Sequence, residues 1–330
     1  MMKLLFTMLA AVLGISTVYA IDANTVEVKF NGSTATVTLA SNISAYVKVA
    51  SGTSSHVKLV QAENFSGVNP TVDNEDGEII YVLSGTSSDG EFYLEGAYKC
   101  SVELNGLTLT NPSGPAINIQ NGKRTSLTVR KGTTNTIEDG ANDEFNGCYH
   151  CKGHTKFKGK GTLNVKGNAK HAVYSKEYIE VKNLTLNVTG AVKDAIHCKE
   201  YFLMESGTVT VSGTCEDGIQ VELANDPATG ITADHEDENT GNFYMTGGTL
   251  NISGYTGKAV KAEGDIRLTG GKRNFSESDM LPYSGIDDVQ RSTSNAQRYY
   301  DLNGCPIKQP CRRGIYIEHR NGKTVKRVVR

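Results

Sequence analysis

The sequence predicts an all-β chain wound as a right-handed parallel β-helix, a solenoid, with a small β-module at its C-terminal end. Three observations carry that expectation. The first is an internal repeat. Thr162-Leu163-Asn164-Val165, Thr185-Leu186-Asn187-Val188 and Thr208-Val209-Thr210-Val211 follow one another with a fixed 23-residue spacing. Thr249-Leu250-Asn251-Ile252 comes after a longer, 41-residue step, one further period enlarged by an insertion. A fixed period in this range marks stacked repeats, each unable to bury its apolar face alone. The second is the alternation of apolar and polar residues within each repeat, the signature of half-buried strands. The third is composition. The 330 residues include 35 Gly, no Trp and only 38% hydrophobic residues, and no stretch beyond residue 20 keeps a 3.6-residue apolar period. Helical bundles and doubly wound α/β folds are thereby excluded.

The segments follow in order. Met1–Ala20 has Lys3, an apolar run from Leu4 to Val12, and small residues in Val18-Tyr19-Ala20. This is the pattern of a cleavable secretory signal, with an apolar run too short to span a bilayer. A secreted or outer-surface protein without a transmembrane segment is expected. Residues 21–80 are β-rich but out of register with the repeat, and are expected to form an N-terminal cap. Residues 81–273 form the β-helix. Within it Leu163, Leu186, Val209 and Leu250 make one column, Val165, Val188, Val211 and Ile252 a second, and Ser175, Cys198, Val221 and Ala262 a third. In a parallel β-helix such residues stack about 4.8 Å apart with one pleat face inside. Residues 274–298 lack apolar periodicity and read as a linker. Residues 299–330 hold eight basic and two acidic side chains on an otherwise acidic chain, so they read as a separate module. The overall balance of 34 basic and 36 acidic residues argues against a generic nucleic-acid binder.

Two resemblances add to this reading. Tyr299-Tyr300-Asp301-Leu302-Asn303-Gly304, Gly314-Ile315-Tyr316-Ile317 and Asn321-Gly322-Lys323 resemble the C-terminal sorting domain of the type IX secretion system. That likeness implies the type IX machinery as a partner. Tyr81-Val82-Leu83-Ser84-Gly85-Thr86, Val102-Glu103-Leu104-Asn105-Gly106-Leu107, Asn135-Thr136-Ile137-Glu138-Asp139-Gly140 and Asp217-Gly218-Ile219 resemble a family of exported carbohydrate-binding-domain proteins. That resemblance implies a polysaccharide-lyase-like β-helix, calcium, and a cell-wall polysaccharide as partner. The chain departs from the family where His171 and Lys258 take the corner position that Asp194 and Asp217 hold in the intervening coils.

The candidate chemistry lies on the repeats. Asp194 and Asp217 fall at equivalent positions of adjacent coils, where two carboxylates would repel unless a hard cation such as calcium sat between them. Lys170, His171, Lys193 and Lys258 nearby offer neutralisation without a metal. Tyr174, Tyr178, Tyr201 and Tyr244 are expected to point outward, as a platform for sugar rings or as mutual cover for the sheet. Lys156, Lys158 and Lys160 alternate with Phe157 on one outward face and suit an anionic glycan or a solubilising surface. Cys148-Tyr149-His150-Cys151 with His154 has half of a zinc spacing. No Arg occurs in residues 131–266, so the base used by lyases of this fold class is missing. The expectation is a non-catalytic binder. A β-helix lyase or hydrolase, and an adhesive solenoid without a sugar ligand, are the alternatives.

Overall fold

The computed structural model of the protein describes residues 21–62, 78–141, 144–226, 229, 231, 235, 238–282, 298–300, 306–307, 314–320 and 323–329. Among these, regular structure is strand apart from one short 3-10 turn at Glu277–Asp279. The 23-residue spacing has a simple origin: one period contributes three strands. The period after His171 supplies His171–Ser175, Ile179–Lys182 and Thr185–Val188; the next supplies Ile196–Lys199, Tyr201–Met204 and Thr208–Val211. Each strand pairs in parallel with its counterpart one period on. Leu163 therefore lies beside Leu186, Leu186 beside Val209, and Val209 beside Leu250.

Three long faces result. The first runs through Thr155–Gly159, Ile179–Lys182, Tyr201–Met204 and Asn242–Met245. The second runs through Thr134–Asp139, Thr162–Lys166, Thr185–Val188, Thr208–Val211 and Thr249–Ile252. The third runs through Gly147–Cys151, His171–Ser175, Ile196–Lys199, Ile219–Glu222 and Val260–Ala262. First and second faces form one continuous sheet because Cys100–Asn111 serves both. Its first half pairs with Thr125–Val129 and its second half with Thr134–Asp139. The chain bends between the halves at Gly106, whose φ is +76°. The N–H groups of Gly106 and Leu107 both donate to Asn135 Oδ1, at 2.9 and 2.8 Å. One buried amide from the next coil thus satisfies two backbone donors that the bend removes from the ladder. Further along the same corner Gly207, Gly248 and Gly271 take φ of +92°, +81° and +88°. A Cβ at Gly207 would come within 2.4 Å of the Leu184 carbonyl oxygen, so only glycine fits.

The predicted columns line the interior. Leu163, Leu186, Val209 and Leu250 are fully buried, and a single apolar core extends from Val26 to Ala262. Phe202 and Phe243 stack inside it with centroids 5.2 Å apart and planes 5° from parallel. Each such side chain contributes roughly 1.5–3 kcal/mol by leaving water.

The N-terminal region is more regular than expected. Thr25–Asn31 and His56–Gln61 already pair in parallel with Ile79–Ser87 and Glu91–Gly96. Only Thr34–Leu39 and Val47–Ser51 run antiparallel. They cover the sheet edges at that end, which would otherwise present unpaired backbone. At the other end Met280–Pro282 pairs in parallel with Val260–Ala262, so the stack runs past residue 273 into the stretch read as a linker. A strand this short cannot show a period. Arg298–Tyr300, Pro306–Ile307, Gly314–Arg320 and Lys323–Val329 form a separate four-stranded antiparallel sheet. The signal segment 1–20 and the rest of the predicted linker, 283–297, lie outside the described residues.

Candidate ligand-binding site

The coil repeat turns single residues into rows, and two aromatic rows result. On the first face His154, Tyr178 and Tyr201 stand at the same edge of successive strands. His154 and Tyr178 have ring centroids 4.2 Å apart, and Tyr178 stacks on Tyr201 at 4.7 Å and 22°. His235, from the insertion, closes the row against Tyr201 at 5.3 Å and Tyr244 at 4.5 Å. Tyr201 donates to Glu180 Oε1 at 2.9 Å, and Tyr244 to the buried Glu238 at 2.6 Å. Tyr201 is 1% exposed and Tyr244 6%. The predicted row exists, but its ring faces lie against one another and under the insertion. Rings stacked on each other offer no face to a sugar.

The lysine strip beside this row differs from the expectation as well. Lys156 and Lys158 flank buried Phe157 on the outer surface, but Lys160 lies beyond the strand, after the corner at Gly159. Lys156 Nζ sits 3.1 Å from Glu180 and 5.8 Å from the Tyr178 ring centre. Its charge is balanced by an acid on the next coil.

His154 is held between Glu177, at 3.0 Å, and Glu200, at 3.3 Å. Burial works against its charged form, but the two carboxylates outweigh burial and raise its pKa to about 9. It is an imidazolium tying three coils together. The half zinc motif is not assembled: among the described residues Cys148, Cys151 and His150 join no group of ligands close enough to share an ion, and His154 is taken by Glu177 and Glu200 instead.

The second aromatic row lies on the third face. Lys58, Tyr93, Asn118, His150, Tyr174, His197, Gln220 and Lys261 are successive partners in one outward column. Tyr174 stacks on His150 at 5.2 Å and 13°, and on His197 at 5.5 Å and 23°. Tyr174 is 8% exposed, so this row also turns its faces inward on itself. Tyr174, His197 and Gln220 recur with the 23-residue period and Lys261 follows after the 41-residue step, so the spacing that revealed the core also marked this column. Unlike residue types at the shared offset concealed it.

Asp194 and Asp217 sit at the corner entering this face, 3% and 6% exposed. They do not confront each other across a shared cation position. Asp194 Oδ1 accepts the Asp217 N–H at 3.1 Å, and Asp217 Oδ1 accepts the Lys258 N–H at 2.7 Å. Asp217 Oδ2 takes Lys261 Nζ at 3.1 Å. Each carboxylate is a rung to the backbone of the next coil. The other oxygen of Asp194 meets His197 Nδ1 at 3.0 Å and His171 Nδ1 at 3.3 Å. Calcium takes six to eight oxygen ligands. Two imidazoles, one ammonium and carboxylate oxygens that all face N–H groups already do not fit it, so the predicted calcium pair at Asp194 and Asp217 is not supported.

Beyond His197 the third face opens into a cleft of about 450 Å³, lined by Lys199, Gln220, Glu222, Lys261 and Glu263 together with Val221 and Leu223–Asn225. The size lies within the range of roughly 300–1,000 Å³ usual for small-ligand sites. The cleft is organised by its own contacts. Gln220 donates to Glu222 at 2.6 Å, Lys199 lies 3.5 Å from Glu222, and Glu263 accepts the Leu223 N–H at 2.6 Å. His197 Nε2 stands 3.6 Å from Glu222, whose carboxyl is held down at about 2 chiefly by that imidazole. Two lysines, two glutamates and an amide give a charge-balanced wall of donors and acceptors. Such a wall suits a ligand rich in hydroxyl groups.

Comparison with known proteins agrees with this chemistry. A family model described as carbohydrate-binding domain-containing protein matches residues 66–303. A solved structure, a gadolinium derivative of the polysaccharide lyase-like protein from C. thermocellum, is similar with a TM-score of 0.55 and 17% identity, over 78% of this chain and 100% of that one. At that identity the likeness speaks for the fold, an all-β architecture of long parallel sheets. No protein of curated function matches the chain.

Proposed function

Because the chain belongs to the family of carbohydrate-binding domain-containing proteins, we propose that it holds a polysaccharide in the third-face cleft bounded by Lys199, Gln220, Glu222, Lys261 and Glu263. The cleft itself carries the reading: it is concave, polar, and built from side chains already positioned by one another. Sugar hydroxyls both donate and accept, so alternating lysine, amide and carboxylate groups can satisfy them without one dominant charge. A chain lying along the coil axis would continue past Tyr174 and His150.

The binding is non-catalytic. Asp194 and Asp217, the carboxylates equivalent by the repeat, are occupied by backbone N–H groups and Lys261. In the cleft Glu222 is engaged by Gln220, Lys199 and His197, and Glu263 by the Leu223 N–H. None of the four is placed to exchange a proton with a glycosidic oxygen. The first-face strip of Lys156, Lys158 and Lys160 beside Tyr178 is the weaker surface, since Glu180 already balances Lys156. In this reading the coils wind right-handed, the sense favoured by parallel crossover connections. Residues 1–20 act as an export signal, and the basic C-terminal module addresses the protein to the type IX machinery. The β-helix is then presented outside the cell.

The test is retention on insoluble or gel-embedded polysaccharides, neutral and acidic. Retention should be lost in Gln220→Ala and Lys199→Ala, with an unchanged unfolding midpoint. Failure to bind any neutral or uronic-acid polysaccharide would overturn the proposal.

A further inference from the structure

Asp194 belongs to a nitrogen-rich cluster. Its Oδ2 lies 3.0 Å from His197 Nδ1 and 3.3 Å from His171 Nδ1, and the three donor atoms all fall within 4.8 Å of one another. The three side chains come from two adjacent coils. His171 ends one corner, and Asp194 and His197 flank the next. All three are buried, His171 and His197 at 7% exposure.

We propose that His171 Nδ1, His197 Nδ1 and Asp194 Oδ2 form a site for a zinc-class divalent transition metal. Geometry is the first support. A tetrahedral centre with bonds of about 2.0–2.1 Å keeps its donors about 3.3 Å apart. The two nitrogen–oxygen separations are already close to that value. The donor set is the second. Two imidazoles and one carboxylate suit zinc and its first-row neighbours, whereas calcium prefers oxygen alone. The third support is independent of both. His171 Nδ1 is buried yet makes no hydrogen bond, although it faces Asp194. A buried polar atom without such a bond costs stability, and a bound cation would remove the cost.

The surroundings fit the same role. Asp194 Oδ1 is fixed by the Asp217 N–H, which orients the carboxylate and leaves Oδ2 for a metal. His197 Nε2, on the far side of its ring, faces Glu222. A carboxylate behind a ligating imidazole fixes its orientation and strengthens it as a donor. Tyr174 stacks on the His197 ring and limits its rotation. Three protein ligands leave one tetrahedral position for water or another small donor. The inference does not depend on polysaccharide binding, and its test contains no glycan.

The experiment uses tag-free, chelator-dialysed full-length protein titrated with Zn²⁺ alone, by calorimetry and against a chromophoric competitor. One zinc per chain is expected. Co²⁺ should give the strong visible bands of a tetrahedral nitrogen–oxygen site, without a thiolate charge-transfer band. His171→Ala, His197→Ala and Asp194→Asn should each abolish stoichiometric binding. Glu222→Gln, one step removed, should weaken it by roughly 10–100-fold. His154→Ala, in the other histidine–carboxylate group, should leave the affinity unchanged. Should an alanine variant fail to fold, Glu222→Gln, on the rim of the cleft, and the cobalt spectrum of the unmodified protein still decide. Absence of stoichiometric zinc binding, binding indifferent to His171 and His197, or a sulfur-ligated cobalt spectrum would each overturn the proposal.

Discussion

The two aromatic rows use the same device to opposite ends. On the first face His154, Tyr178 and Tyr201 stack along successive coils; on the third face His150, Tyr174 and His197 do the same. What differs between His154 and His150 is the company of acids, whereas His197 has Asp194 and Glu222 beside it and its pKa is also raised. His154 lies between Glu177 and Glu200 and is kept charged. His150 has Phe145 and Tyr174 beside it, and burial pulls its pKa down to about 4. Burial and the charges of His197 and Lys193 pull His171 down to about 3. A repeat therefore sets where a ring goes, while carboxylates one coil away set whether it is a cation or a neutral donor. The first row is a sealed electrostatic clamp. The third borders an open polar cleft.

The largest effect tests what both rows share. Phe202 lies in the core beneath the first row, stacked on Phe243. Phe202→Ala should destabilise the stacked parallel sheets by about 3–5 kcal/mol. Because one core underlies all faces, denaturant unfolding followed at the first and third faces should show a single shifted transition. Two separate transitions would mean that the faces are less coupled than the continuous core implies.

Next comes the clamp. His154→Leu leaves Glu177 and Glu200 facing each other with no cation between them. The His154 side chain is 31% exposed, so solvent screens part of the repulsion. A loss of about 1–2 kcal/mol is expected, measured by urea denaturation at pH 6. His150→Leu, which removes no charge, should cost less.

Two individual histidines, His154 in the first row and His171 beside the third, should respond to pH with opposite sign. For His154 the folded pKa, about 9, exceeds the ordinary 6.5. Its contribution is complete below about 6.5 and is lost as pH rises through 9. For His171 the folded value, about 3, lies below 6.5. Its neutral form is favoured by folding, so stability falls as pH drops from about 6.5 toward 3. In metal-free protein, histidine ring resonances followed by NMR should place His154 near 9, His150 near 4 and His171 near 3, with His197 above the ordinary value. Uniform titration near 6.5 would erase the distinction between these histidines.

Much of the fold was legible because the period is strict. Leu163, Leu186 and Val209 recur with the same residue class at every period, and each pairs with the next. The site was legible only in part. Asp194 and Asp217 were correctly equivalent, but a corner carboxylate beside the next coil's N–H is a three-dimensional fact that no spacing reveals. Tyr201 and Tyr244 point away from the core as expected, yet His235 and Glu238 from the insertion cover them. His197 and Glu222 were not marked because the columns they belong to, with Gln220 and with Lys199, hold unlike residues. A row of identical side chains announces itself; a row of Tyr, His, Gln and Lys does not.

The most direct measurement sets one face against the other. Affinity electrophoresis in polysaccharide-containing gels would compare Lys199→Ala/Lys261→Ala with Lys156→Ala/Lys158→Ala, both checked for an unchanged fold. The third-face double variant should lose at least about tenfold in affinity, or roughly 1.4 kcal/mol, while the first-face variant keeps its binding. Loss confined to the first-face variant would contradict the assignment of the ligand to the third-face cleft.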